Sequence, residues 1–174
     1  MTELALNIIV QGVLLGGLYA LFAIGLALSV GVVRLVNIAH GDLIILASFG
    51  LFVLTEGAGL PLFLAFVIIL PVMAGVGYLL QQGLLRHVTD KGLLPPLLVT
   101  FGLSVIVQNG LLEGFGADTR AFSGGALQTA TWELTDGVFI GALPALTLVV
   151  AVGLIFAVDR LIYRSAFGAR LRAV

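Results

Sequence analysis

The chain has 174 residues, 60% of them apolar and 10% charged, with a formal net charge of −1 and a mean hydropathy of +1.22. Soluble domains carry about 25% charged residues, so the composition excludes a soluble globular protein and predicts an integral membrane one. Cysteine is absent, which removes disulfides and thiolate metal sites and leaves the redox compartment unread.

Uncharged runs mark the expected spans. The first covers residues 4–33, 30 in all, too long for a signal-peptide core, and no basic segment precedes it. Small residues stand four apart at Gly12, Gly16 and Ala20, with Gly17 beside them. That spacing lets a second helix backbone approach closely, from this chain or from another subunit. Gln11 and Tyr19 either face a pathway or bond a neighbouring helix.

A polar interruption follows, Arg34-Leu35-Val36-Asn37-Ile38-Ala39-His40-Gly41-Asp42. The next uncharged run, residues 43–55, has 13 residues. As a helix it is about 20 Å long, short of a hydrocarbon core of about 30 Å. It reaches 21 residues only when extended back to Leu35. Either the polar motif enters the membrane or the chain breaks there. Polar groups inside a bilayer are costly and point to function. His40 and Asp42 lie two apart, diverge on a helix, and make no tight acid–base couple.

The third run, residues 57–85, has Pro61 near its start, where proline suits a first helical turn. Pro71 near its middle removes a backbone donor and is expected to kink or break the helix. The loop from Arg86 to Lys91 is short and basic, with His87 expected in solvent. The fourth run, residues 92–112, opens with Pro95-Pro96. Thr100, Ser104 and Gln108 are each four apart and share one helical face, with Asn109 beside them. Such a stripe either bonds another helix or lines a water-filled path.

Residues 113–136 are too polar to span and are expected to form a surface lid or docking segment, with Trp132 as an interfacial anchor. The fifth run, residues 137–158 with Pro144, leads into a segment holding Arg160, Arg164, Arg170 and Arg172. That segment either lies on anionic headgroups or meets a cytoplasmic partner.

Basic residues set the expected orientation. With the N-terminus outside, the inner side holds Arg34, Arg86, Lys91, Arg160, Arg164, Arg170 and Arg172, seven of the eight Lys and Arg. Only Arg120 falls outside. A re-entrant second segment would put Arg86 and Lys91 outside, which the same rule disfavours. The alternation expected of a membrane β-barrel is missing. The expected fold is therefore all-α: a polytopic transmembrane helical bundle of about five spans. Its N-terminus is outside, its C-terminus cytoplasmic, its helices broken or kinked, and residues 1–174 form one transmembrane domain.

Motifs for chemistry are lacking. The only lysine, Lys91, follows Val88-Thr89-Asp90 rather than a glycine-rich phosphate loop. There is no His-Glu-x-x-His helix and no Gly-x-Ser-x-Gly turn. An enzyme is not expected, nor a cofactor, nor a metal.

The run Gly16-Gly17-Leu18-Tyr19-Ala20-Leu21, followed by Asn37-Ile38-Ala39-His40-Gly41-Asp42, resembles the LivH-like permeases of branched-chain amino-acid ABC importers. Ile38 stands where that family usually has phenylalanine. Thr100-Phe101-Gly102-Leu103-Ser104 with Gln108-Asn109 is similar to a second family motif. Phe167-Gly168-Ala169-Arg170-Leu171-Arg172-Ala173-Val174 looks like the approach to the family's cytoplasmic coupling loop. The chain ends as that loop should begin, so it is expected to be truncated relative to the family.

The resemblance implies inward movement of a branched-chain amino acid or a related small polar solute across a bacterial inner membrane. The implied partners are a homologous permease subunit, cytoplasmic ATP-binding subunits and an extracytoplasmic solute-binding protein. Tyr19, Asn37, His40, Gly41, Asp42, Thr100, Ser104, Gln108 and Asn109 are the candidate pathway or motif residues. Arg164, Phe167, Gly168, Arg170 and Arg172 are the candidate ATPase-facing ones. A passive small-solute channel and a non-transporting membrane assembly subunit remain the alternatives.

Overall fold

A computed structural model describes residues 2–33, 35–118, 129–135, 137–164 and 168. Among them are five helices long and apolar enough to cross a membrane. These are α1 (Thr2–Leu28), α2 (His40–Phe52), α3 (Leu62–Gly83), α4 (Leu94–Phe115) and α5 (Ala142–Arg164). An antiparallel hairpin of β1 (Thr131–Thr135) and β2 (Val138–Gly141) precedes α5. The chain divides into two compact units: Met1–Val32 with Ser123–Val174, and Val33–Phe122.

In the first unit α1 packs on α5, and one glycine permits it. A Cβ on Gly17 would stand 2.8 Å from the Leu148 Cα, a backbone atom that cannot swing away. Gly12 and Gly16 have nothing within 4 Å of that position. Within this unit the close approach therefore uses Gly17 rather than the expected small-residue stripe. Leu14, Val138, Ala142 and Ala151 of the same unit are buried. Gln11 turns to the hairpin, its Nε2 donating to the Phe139 carbonyl at 2.7 Å. α1 ends in a π-helical turn, Ser29–Val33.

The hairpin was not foreseen. Thr131 pairs with Gly141, Trp132 with Ile140, and Glu133 with Phe139, with an irregularity before Thr135 meets Val138. Two residues, Asp136-Gly137, connect the strands, and Gly137 has φ 85°. An Asp-Gly pair between β-forming residues is a strong short hairpin signal, because the turn needs positive φ. The fifth span accordingly starts at Ala142 rather than at residue 137, and it runs past Asp159 and Arg160 to Arg164.

In the second unit α2 takes in the end of the polar interruption and continues through a π-helical turn, Val53–Gly57. The joined helix His40–Gly57 has 18 residues, about 27 Å at 1.5 Å per residue. That answers the short second run: the helix gains length from His40, Gly41 and Asp42, and residues 35–39 are the break. Leu51 on α2 meets Ala65 and Ile69 on α3, with Leu54 and Met73 alongside. α3 runs unbroken through Pro71. Membrane helices accommodate such a proline where neighbouring groups re-satisfy the backbone. Pro61 sits at the cap of α3, just before the helix, with ψ 142°. Two short 3-10 turns, Leu85–His87 and Thr89–Lys91, form the basic loop, in which His87 is exposed.

Candidate functional site

The site is built where the chain enters α2. Asn37 makes the turn. Its Oδ1 accepts the Ala39 N–H at 3.0 Å, and its carbonyl accepts the His40 N–H at 3.2 Å. Asparagine favours this geometry because its short side chain mimics a backbone turn. Ala39, fully buried, then leads into the helix. Asp42 lies in the first turn of α2, where negative charge suits the helix dipole.

α4 supplies the other half. Its Thr100 hydroxyl donates back to the carbonyls of Pro96 (3.0 Å) and Leu97 (3.1 Å), and accepts the Ile38 N–H at 3.3 Å. One turn on, the Ser104 hydroxyl donates to Asp42 Oδ2 at 2.5 Å. One turn further, Gln108 Nε2 donates to Asp42 Oδ1 at 2.9 Å and to Ser104 Oγ at 3.1 Å. Asp42, Ser104 and Gln108 thus close a triangle. Thr100 is 2% exposed, Ser104 5% and Asp42 9%. Among the described residues, the two donors to the Asp42 carboxylate, Ser104 and Gln108, are neutral. Among the described residues no buried side-chain nitrogen or oxygen lacks a hydrogen bond, as a low-dielectric setting demands.

The structure therefore gathers Asn37, Asp42, Thr100, Ser104 and Gln108, with His40 and Gly41 on the same turn. Asn109, although adjacent to Gln108, is exposed and its Nδ2 donates to the Val105 carbonyl on its own helix. Tyr19 belongs to the first unit, on α1, and is 62% exposed. Arg164 ends α5 and is exposed. Gly168 is buried, and a Cβ there would run into the Ile162 carbonyl. Phe167, Arg170 and Arg172 lie outside the described residues.

Sequence reasoning missed a further member of the second unit. The rings of Phe49 on α2 and Phe115 on α4 stack at 4.5 Å, tilted by 44°. Two phenylalanines in apolar helices carry no local signal of pairing. Among the described residues no group of three or more His, Cys, Asp or Glu side chains comes together. The arrangement is one of hydrogen-bond donors and acceptors held between two helices.

Five apolar helices with a polar cluster shared between two of them define a multi-pass membrane protein. Residues 8–174 match the family model described as the branched-chain amino acid transport system / permease component, and the chain belongs to that family. It is a multi-pass inner-membrane protein. It is 26% identical over 177 residues to the high-affinity branched-chain amino acid transport system permease protein BraD of Pseudomonas aeruginosa, an alignment covering 95% of this chain and 57% of BraD. It is 28% identical over 114 residues to the permease protein LivH of Escherichia coli K12, covering 60% of this chain and 37% of LivH. The LivH protein of Salmonella typhimurium is 27% identical over the same length. The chain thus spans little more than half the length of the relatives it matches. No solved structure matches it.

Proposed function

We propose that this chain is permease sequence of an ABC importer that moves branched-chain amino acids, or a related small polar solute such as another amino acid, an amide or urea, into the cell. The family match over residues 8–174 carries this reading. Solute arrives from an extracytoplasmic binding protein and passes between this permease and a homologous subunit. Separate cytoplasmic ATP-binding subunits drive the cycle by favouring one conformation over the other.

In this reading the N-terminus is outside and the C-terminus cytoplasmic. The turn from Asn37 to Asp42 and the α4 stripe stand beside the pathway, where Asn37 and His40 tie helix ends together. Asn37 shapes that turn by accepting the Ala39 and His40 N–H groups, and the hydrogen bonds from α4 to Ile38 and Asp42 support the turn's attachment to α4. Tyr19 and Asn109, exposed on their helices, remain candidate pathway residues. Arg164, Phe167, Gly168, Arg170 and Arg172 face the ATPase.

The experiment is uptake of labelled leucine, isoleucine, valine, an amide and urea by cells deleted for the gene and by the complemented strain. Loss of uptake for one of these solutes, restored on complementation, is expected. Unchanged uptake of all of them contradicts the reading, and ATP-independent flux through the purified protein would favour a passive channel.

A further inference from the structure

The ties between α2 and α4 are spread along α4 rather than gathered at one end. Thr100 holds the turn before α2, Ser104 and Gln108 hold Asp42, and Phe115 stacks on Phe49. From residue 100 to residue 115 these cover about 22 Å of helix. Three of the ties are directional hydrogen bonds to buried Thr100 and Asp42, so sliding α2 along α4 would strand a carboxylate and a hydroxyl in a low-dielectric setting. α3 meets α2 differently, through the aliphatic side chains of Leu51, Ala65 and Ile69.

We propose that α2 and α4 move as one body when the permease switches access, with Asp42 as the positioning residue that welds them. The triangle holds the Asn37–Asp42 turn at a fixed place on α4 in every state of the cycle. This rests on the transport reading above, and it assigns the cluster to the frame that moves rather than to the joint that gives.

Residues 1–174 hold no native cysteine, and any cysteine elsewhere in the assembly is replaced before spin labels are placed. Suitable sites are Ile45 on α2 and Ile106 on α4, exposed at 48% and 70% and outside the triangle. The whole permease, assembled with its ATPase and binding protein in proteoliposomes that accumulate leucine on ATP, is measured by pulsed EPR without nucleotide and after vanadate trapping. The Ile45→Cys/Ile106→Cys distance is expected to shift by less than about 2 Å between the two states, where an inter-element ratchet moves a full turn. A larger shift overturns the proposal.

In the same labelled background Asp42→Asn with Ser104→Ala should broaden the distance and make it change with nucleotide. Uptake should fall about tenfold in maximal rate with KM little changed. Ser104→Thr with Asp42 intact, which keeps the hydroxyl, should leave both as in the parent. A distance as narrow in the double variant as in the parent overturns the role given to Asp42. Absence of ATP-driven uptake by the unlabelled parent would count against the transport reading itself, whatever the distances are.

Discussion

At the residue scale the central pair is Asp42 and Ser104. Removing the Ser104 hydroxyl leaves a buried carboxylate oxygen without its 2.5 Å donor. An unmet buried polar group costs about 1–3 kcal/mol. Ser104→Ala is therefore expected to destabilise the protein by that order in a denaturant titration in detergent, and Asp42→Asn should couple to it in a double-mutant cycle. Additive single effects would show that the bond contributes nothing. Asn37→Ala should lower transport by reducing the amount of assembled complex, since Asn37 shapes a turn. A change in KM with normal assembly would instead point to direct solute contact. The polar stripe was legible in the sequence, because Thr100, Ser104 and Gln108 recur every fourth residue. Its partner was not, since Asp42 lies 62 residues before Ser104 and no local pattern encodes that distance.

At the element scale the spans were legible where apolar runs ended at charges, and misplaced where they ended at a turn. α4 begins within two residues of its uncharged run, whereas the fifth run hid a strand ahead of α5. Its signal, Asp136-Gly137 between Thr-Trp-Glu-Leu-Thr and Val-Phe-Ile, was available but masked by the apolar count. Gly137 at φ 85° is the test of that turn. Gly137→Val should destabilise by about 1–3 kcal/mol, the usual cost of a branched residue in that region, and Gly137→Asn by less. Thermal unfolding of the two variants compares them. The α1–α5 seam gives a second test. Gly17→Val should destabilise by about 1–3 kcal/mol through overpacking. Leu148→Ala should fail to rescue it fully, because the Cβ meets the Leu148 Cα as well as its side chain. Gly12→Ala and Gly16→Ala, open on this unit, should unfold like the parent.

At the scale of the whole molecule, composition alone set the class, since 10% charged residues leave no soluble alternative. What composition left open was which helices share a unit, because helix pairing depends on single close approaches such as Gly17 on Leu148. Orientation is the proposal to test at this scale. A cysteine at Trp132 should react with an impermeant thiol reagent added to intact cells, and one at Arg86 should react only after permeabilisation. The reverse pattern would invert the topology and with it the face assigned to the ATPase.

The central claim is that the protein serves energised import. It is tested most directly by leucine accumulation in proteoliposomes holding the permease, its homologous subunit, the ATP-binding subunits and the binding protein. The account predicts accumulation against a gradient that requires ATP and collapses when this permease is left out. Equilibration without ATP, or accumulation unaffected by its omission, would contradict it.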